Sequence, residues 1–171
     1  FVELMVQCEA EGIAPAAVVV TSSSGGTHAG LVAGRALWRA LERTADDAVP
    51  EVLAIGVAKG VNLGMPDIEH LAMETVALAG GDPGCIEPGD VQLDPNWMGD
   101  DYAVPTDAAD DAIRWAARHG GWVLDRVYSG KGMSGVLGNV AAGRWAPGSD
   151  VVFVHTGGIP AVFAPGGAPV A

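Results

Sequence analysis

Short apolar runs alternate along this chain with longer stretches in which apolar residues recur every three or four positions. Continuous apolar runs at residues 16–20, 52–57 and 151–154 have the length of buried β-strands, and residues 91–93 form a shorter strand in a turn-rich segment. None of these runs approaches the roughly 20 apolar residues that a membrane span needs. The pattern predicts several short strands separated by helices.

The stretches between the strands have helical periodicity and identifiable ends. One helix is predicted at the start of the chain and another at residues 27–43. Pro66 lies in the first turn of a third helix, Thr106 is the N-cap of a fourth, and Lys131 opens a fifth. The side chains expected to face the core from these helices are Leu31, Trp38, Ile68, Val76, Ala109, Ile113, Met133 and Val136.

Strands that alternate with helices indicate an α/β fold, here a three-layer, mostly parallel sheet with helices on both faces. We expect residues 1–171 to form a single domain. Ligands of such sheets bind at the carboxyl ends of the strands. Three polar, glycine-rich segments follow apolar runs, at residues 21–27, 125–130 and 156–158. These segments are therefore expected to converge on one ligand.

Composition narrows the range of partners. Hydrophobic residues make up 49% of the chain and charged residues 18%, which excludes a disordered protein. The formal net charge of -12 disfavours binding to nucleic acids and to anionic membranes. The two cysteines, Cys8 and Cys85, indicate a reduced, cytoplasmic protein, and neither has the neighbours that a metal site requires.

The segment Ser22 to Thr27 has the features of an anion-binding loop. Small residues between a buried strand and a helix leave backbone N–H groups free at the helix N-terminus, beside serine and threonine hydroxyls, and this arrangement suits a phosphate monoester. The segment lacks the Gly-Lys-Thr of a Walker loop and the dinucleotide fingerprint. An ordinary flexible connection is the alternative. A serine hydrolase with His28 or His155 as base is a further one, but the Gly-x-Ser-x-Gly spacing is absent.

Four segments in the same order resemble motifs of one enzyme family. Residues 19–31, VVTSSSGGTHAGL, resemble the phosphate-binding loop of D-cysteine desulfhydrases. Residues 125–133, DRVYSGKGM, are similar to the family segment Asp-Pro-Val-Tyr-(Thr/Ser/Glu)-Gly-Lys-Ala-Met, and residues 155–163, HTGGIPAVF, to His-Thr-Gly-Gly-x-Pro-Ala-Leu-Phe. Tyr102 matches a Tyr-Gly-x-Pro segment. The chain thus resembles the C-terminal part of the D-cysteine desulfhydrase and 1-aminocyclopropane-1-carboxylate deaminase family, which has the type II fold of pyridoxal-phosphate enzymes.

The resemblance implies a cofactor, pyridoxal 5'-phosphate, and a role for each matching residue. It implies that Tyr102 and Tyr128 flank a small amino-acid substrate and contact it or transfer protons, and that Ser129 faces the pyridine nitrogen with Thr156 and Gly157 near the same edge of the ring. The residues implied to bind the cofactor phosphate are Ser23, Ser24, Gly25, Gly26 and Thr27.

Several positions bear on the specificity that the resemblance implies. A serine hydroxyl at position 129 can donate to a neutral ring nitrogen, which favours α-proton removal and β-elimination over glutamate-assisted ring opening. Capping of the following helix is the alternative role of Ser129. The sequence departs from the family at Ser23, Arg126 and Gly132, where relatives usually carry glycine, proline and alanine.

The chain lacks a lysine in the context that holds the cofactor covalently. Its two lysines, Lys59 and Lys131, match no Schiff-base motif, since Lys59 ends a predicted strand and Lys131 aligns with a lysine of another role. In relatives the catalytic lysine precedes the region seen here. We expect a separate polypeptide to supply that lysine in a split, oligomeric lyase; a fragment of a longer enzyme, or a non-catalytic subunit that binds the cofactor or phosphate, is the alternative.

Overall fold

The computed structural model describes residues 1–41 and 49–166. Within them the predicted alternation of strands and helices is present, with a short 3-10 turn at Pro83–Cys85 and two four-residue helices in addition. In chain order the elements are α1 Val2–Glu11, β1 Ala17–Ser22, α2 Gly26–Ala40, β2 Glu51–Gly56, α3 Lys59–Asn62, α4 Ile68–Leu78, β3 Gln92–Asp94, α5 Asp107–Gly120, α6 Ser129–Ala141, β4 Val151–Val154 and α7 Ile159–Val162.

The four strands form one parallel sheet in the order β3-β2-β1-β4. In the register of the central pair, Ala17 lies opposite Glu51 and Ser22 opposite Gly56. On its other side β1 pairs with β4, from Ala17 opposite Val151 to Val20 opposite Val154. Because all strands run the same way, the segments that follow β1 and β4 leave the sheet side by side at its carboxyl edge.

Helices cover both faces of the sheet, which confirms the predicted three-layer α/β fold. Val18, Val20, Val52 and Ala54 of the two central strands pack against α2 and α4 on one face. The alternate residues of the same strands, among them Val19, pack against α5 and α6 on the other face. Consecutive residues of a strand point to opposite faces, so two apolar faces require the continuous apolar runs seen in the sequence.

Some local predictions are wrong. Lys59 begins the short helix α3 and does not end a strand. Pro66 lies before the N-cap of α4, which is Asp67, and residues 123–124 belong to no strand of the described sheet. The last strand, predicted as buried, lies at an edge of the sheet with all four residues half-buried. The predicted helix 27–43 is confirmed as far as Ala40, and Glu42 and Arg43 lie outside the described residues.

The predicted N-cap at Thr106 is confirmed by a hydrogen bond of 3.1 Å from the Ala109 amide to the threonine Oγ1. Cys8 and Cys85 are both free thiols. Among the residues that the structure describes, no helix has the length and apolar character that crossing a bilayer requires.

Candidate functional site

The turn between β1 and α2 depends on glycine. Gly25 is the N-cap of α2 and has a positive φ of 82°, a conformation that side chains other than glycine rarely adopt. A Cβ atom at this position would also overlap the side chains of Ile68 and Pro66. The chain can therefore turn tightly out of the sheet and start a helix only with glycine at this position.

The N-terminus of α2 is open to an anion. The Ala29 amide donates to the Gly25 carbonyl at 2.9 Å in the first bond of the helix, which leaves the N–H groups of Gly26, Thr27 and His28 without an acceptor in the helix. No side chain of the described residues caps this end, although the side chains of Ser24 and Thr27 are exposed beside it. Free N–H groups, the positive end of the helix dipole and two hydroxyls fit a phosphate group.

Buried hydroxyls lie directly beneath this loop. Thr21 and Ser22, the last two residues of β1, are each 2% exposed. Neither the Thr21 Oγ1 nor the Ser22 Oγ has a hydrogen-bond partner within the described chain. Unsatisfied buried polar atoms are rare in folded proteins, so these two hydroxyls are groups for which the described chain provides no partner.

The segment that follows β4 lies beside the β1 loop. Residues 155–158 form an irregular turn in which Gly157 and Gly158 have positive φ values of 131° and 99°. Thr156 at its tip is exposed, and the Gly157 amide donates to the Nδ1 of His155 at 3.3 Å. The pairing of β1 with β4 places this turn next to the start of α2, as the sequence predicts.

The third segment, residues 125–130, is held by a buried carboxylate. Asp125 is 1% exposed and accepts hydrogen bonds from the amides of Val127, Tyr128 and Ser129 at 2.8 to 2.9 Å. A Cβ atom on Gly158 would overlap the same carboxylate, so the 155–158 turn packs directly against it. Asp125 thus joins this segment to the strand end of β4.

Tyr128 lies where the three segments meet. Its hydroxyl donates to the Thr21 carbonyl at 2.7 Å, and its phenol also interacts with the side chains of Thr156 and Ser23. Burial raises the pKa of Tyr128 above its ordinary value. The neighbouring Tyr102 raises this pKa further, whereas the hydrogen bonds with Thr156 and Ser23 lower it by less than burial raises it. The phenol is therefore protonated at neutral pH and is a hydrogen donor at the centre of the site.

Ser129 is engaged by Asp125. The serine Oγ donates to the Asp125 Oδ1 at 2.6 Å and accepts from the Asp125 amide at 2.9 Å. A serine hydroxyl has a single proton, so a bond from Ser129 to a ring nitrogen would require that the bond to Asp125 be exchanged. The residue is 1% exposed, and in this structure it contributes to the start of α6.

Tyr102 lies on the rim of the site. Its side chain is half-exposed, and the segment that carries it is fixed from below by Lys131, whose Nζ donates to the carbonyl of Tyr102 at 3.0 Å. The two other residues at which the sequence departs from the family have structural partners. Arg126 forms a bidentate ion pair with Asp110 of α5, and Gly132 packs against Thr21, whose Oγ1 a Cβ atom there would overlap.

The structure therefore gathers most of the predicted residues at one edge of the sheet. Tyr128 interacts with Ser23 and Thr156, while Ser24 to Thr27 form the open helix end next to them. Ser129 lies behind this surface and Tyr102 at its rim. Sequence reasoning missed Asp125, although an aspartate four residues before a helix-opening serine is a pattern that indicates local capping.

Comparison with known proteins is consistent with this geometry. The sequence profile of a family described as pyridoxal-phosphate-dependent enzymes matches residues 2–157. A D-cysteine desulfhydrase of Salmonella typhi is 34% identical over 162 residues, which are 95% of this chain and 45% of that protein. A 1-aminocyclopropane-1-carboxylate deaminase of Burkholderia cenocepacia is 37% identical over 147 residues, or 86% of this chain and 41% of that protein.

A solved structure shares the fold. The crystal structure of a homologue of ACC deaminase superposes with a TM-score of 0.76 at 24% sequence identity, over 95% of this chain and 46% of that one. The chain therefore spans about 45% of the length of the relatives it matches.

Proposed function

Because this chain belongs to the pyridoxal-phosphate-dependent enzyme family, we propose that it forms the cofactor-binding part of a lyase or deaminase acting on a small amino acid. The single observation that carries the proposal is the convergence of an uncapped helix N-terminus with the hydroxyls of Ser23, Tyr128 and Thr156. When bound, the cofactor supplies an electron sink for cleavage at the α-carbon of an amino acid.

The proposed roles follow from position. The N–H groups of Gly26 and Thr27, with the hydroxyls of Ser24 and Thr27, bind the phosphate, and Gly25 allows the close approach. Thr156 and Gly157 would hold the edge of the ring, and Ser129 would donate to its nitrogen if the bond to Asp125 were exchanged. Tyr128, protonated and half-buried, would donate from the centre of the site once its bond to the Thr21 carbonyl is exchanged, and Tyr102 would face the substrate from the rim.

The substrate class is narrower than amino acids in general. A hydroxyl at position 129 leaves the ring nitrogen unprotonated more readily than a carboxylate would, which favours β-elimination. We therefore propose D-cysteine or a related amino acid as substrate ahead of aminocyclopropane carboxylate. The similarity to a D-cysteine desulfhydrase supports D-cysteine as the first candidate substrate. The similarity to a 1-aminocyclopropane-1-carboxylate deaminase supports aminocyclopropane carboxylate as the second.

We propose that the Schiff-base lysine comes from a separate polypeptide. The sequence contains two lysines, and both have other partners. Lys59 is exposed and its Nζ lies 2.7 Å from the Asp101 carboxylate, while the Nζ of Lys131 donates to three backbone carbonyls. The amine of a Schiff base must be free to reach the ring, and in this structure both amines are engaged by other groups. The rest of the relatives' length would contribute the lysine and the remainder of the substrate pocket.

Other parts of the proposal rest on broader features. The two larger hydrophobic clusters lie on opposite faces of one sheet, which supports a single domain over residues 1–171. Free cysteines at positions 8 and 85 support a cytoplasmic protein. Exposed apolar side chains beside β4 support assembly into a larger oligomer.

The phosphate site is tested by removing one hydroxyl. Thr27→Val keeps the shape of the side chain and removes a donor at the open helix end, so we expect the Kd for pyridoxal phosphate to rise about tenfold, as for loss of one hydrogen bond to a charged group. Cofactor titration followed by fluorescence measures this. Thr75→Val, in α4, is the matched control and should leave the Kd unchanged. Equal affinity of wild type and Thr27→Val would refute the site.

A non-catalytic subunit that binds the cofactor is the second candidate function. Tyr102→Phe separates the two, because the half-exposed phenol belongs to the rim and not to the segment proposed to bind the phosphate. For an enzyme, turnover of D-cysteine by the assembled protein should fall at least about 100-fold with cofactor affinity unchanged, as for loss of a proton-transfer group. Unchanged turnover would favour the non-catalytic subunit. Ser129→Ala is less informative, since it also removes a hydrogen bond to Asp125.

A further inference from the structure

Lys131 occupies an unusual position for a lysine. It is the third residue of α6 and is 0% exposed. Burial lowers the pKa of its amine, and the positive end of the helix dipole also disfavours a cation in the first turn. A lysine in such a place is stable only if specific partners compensate for both effects.

Those partners are three backbone carbonyls of one loop. The Nζ donates to Met98 at 2.6 Å, to Asp101 at 2.7 Å and to Tyr102 at 3.0 Å. Only the ammonium form has three protons to donate, so the geometry requires the charged amine. The Asp101 carboxylate favours that charge and also accepts from the Tyr102 amide at 2.8 Å. The ammonium group is thus the centre around which residues 98–102 are folded.

The same lysine is rigidly connected to the other proposed catalytic tyrosine. Tyr128 is the N-cap of α6, three residues before Lys131, and its hydroxyl is bonded to the end of β1. The Gly132 amide donates to the Tyr128 carbonyl at 3.0 Å. A single turn of helix therefore fixes the distance between the backbone of Tyr128 and the ammonium group that holds the backbone of Tyr102.

We propose that Lys131 is a positioning residue that sets Tyr102 against Tyr128 across the substrate site. The inference rests on the proposed function, because it takes Tyr102 to contact substrate. Lys131 itself touches neither cofactor nor substrate in this assignment. Its effect on the reaction passes through the carbonyls of residues 98–102.

The first test measures the loop directly and needs no turnover. Lys131→Met has a similar length but no donors, so amide hydrogen exchange of residues 98–104 should accelerate at least about tenfold while exchange in β1 stays unchanged. Lys59→Met is the matched control, since Lys59 bonds to the same loop through the exposed Asp101 side chain. In Lys59→Met the amide exchange of residues 98–104 should stay close to that of the wild type. Equal acceleration in both variants, or in neither, would overturn the proposal.

The second test asks whether Lys131 acts through Tyr102. In the assembled holoenzyme, Lys131→Met should lower kcat by about 10- to 100-fold, the effect of a displaced catalytic group, with the Kd for pyridoxal phosphate unchanged. Added to Tyr102→Phe, the same substitution should have little further effect on kcat. Two effects that multiply would show that Lys131 acts by another route and would overturn the proposal.

A second variant guards against misfolding of Lys131→Met. Lys131→Arg keeps the charge and the donors but needs more room, so it should displace the loop and lower kcat without loss of cofactor affinity. Parallel losses of kcat and cofactor affinity would indicate a merely structural residue and count against positioning. If Tyr102→Phe alone leaves turnover intact while the exchange result holds, then the role of Tyr102 in the proposed function fails and the loop contact of Lys131 stands.

Discussion

His28 is a buried imidazole in the first turn of α2. It is 1% exposed, and both ring nitrogens lack hydrogen-bond partners within the described chain. Burial lowers the pKa of His28 to about 4, so the ring is neutral in the folded protein near neutral pH. A neutral ring is also the form compatible with the positive end of the helix, where an anionic cofactor group and not a second cation is expected.

The neutral histidine predicts an acid-sensitive fold. An unfolded histidine takes up a proton below about pH 6.5, whereas folded His28 stays neutral down to about pH 4. Above pH 6.5 the histidine is neutral in both states and costs no stability. As the pH falls from 6.5 towards about 4, the unfolded state gains a proton that the folded state does not, so the free energy of unfolding decreases by up to about 3 kcal/mol. Urea unfolding between pH 7 and pH 4 measures the slope. His28→Gln should flatten it, and the exposed His70→Gln should not; identical slopes would contradict the assignment.

Gly132 is a second residue whose tolerance of substitution is limited by its neighbours. A Cβ atom at this position would overlap the Thr21 Oγ1, and Thr21 lies in a central, buried strand that cannot shift. Gly132→Ala should therefore destabilise the fold by about 1–3 kcal/mol, as overpacking does in other cores.

The partner atom supplies the control for Gly132→Ala. Thr21→Ala removes the Oγ1, so the double variant should recover part of the lost free energy of unfolding. Gly30→Ala, a helical glycine with open space around its Cβ position, should be neutral or stabilising. Additive losses in the double variant would show that the contact is not the cause.

At the scale of elements, the start of α6 depends on one carboxylate. Asp125 accepts three amides and the Ser129 hydroxyl, and it packs against the turn after β4. Asp125→Asn replaces one acceptor oxygen by an NH₂ group that faces donors, so thermal or urea unfolding should show a loss of about 1–3 kcal/mol. Cofactor affinity should fall as well, because two of the converging segments lose their connection. Asp111→Asn, on the exposed face of α5, is the control. Unchanged stability of Asp125→Asn would contradict this role.

Some secondary-structure elements and their ends could be predicted from the sequence alone, and others could not. Apolar runs predict β1, β2 and β4 to within two residues at either end, because side chains in a sheet covered on both faces must be apolar. Local chemistry also predicts Thr106 as an N-cap. By contrast, periodicity does not record strand order, so the edge position of β4 was not predictable, and an apolar pair at 123–124 looked like a strand although it is not in the described sheet.

The candidate site also has features that the sequence predicts and features that it does not. Motif order predicts the convergence at the strand ends, because parallel strands bring their carboxyl ends to one edge. The hydrogen bonds behind that edge could not be predicted from the sequence, because they depend on side-chain directions that the sequence does not show. Ser129 turns towards Asp125, and Lys131 reaches a loop some 30 residues away in the chain. The sequence predicts that Lys131 is not the Schiff-base lysine, and its hydrogen-bond partners emerge only from the fold.

At the scale of the whole molecule, one patch of apolar surface lies beside the β4 edge of the sheet. β4 has four apolar residues that are half-buried, although an apolar run of this kind is typical of strands covered on both sides. A cavity of about 470 Å³ lies next to it, lined by residues of α5, of the segment that follows α5, of α6 and of β4, among them Trp115, Trp122, Val140 and Phe153. Unpaired strand edges and contiguous apolar surface favour association with further polypeptide.

We expect the proposed lysine-bearing polypeptide to pack against this surface. Val140, on α6 beside the cavity, is 53% exposed, and Val140→Lys would place a charge in an interface that must exclude water, so the Kd of the assembly should rise at least about tenfold. Val6→Lys is the matched control, because Val6 is 47% exposed on α1, which packs against α2, and does not line the cavity beside β4. Co-purification with the lysine-bearing polypeptide, followed by sedimentation velocity, measures both. Assembly that resists Val140→Lys but fails with Val6→Lys would place the interface on the opposite side of the molecule. The open strand edge of β4 would then need a different occupant, such as a second copy of this chain.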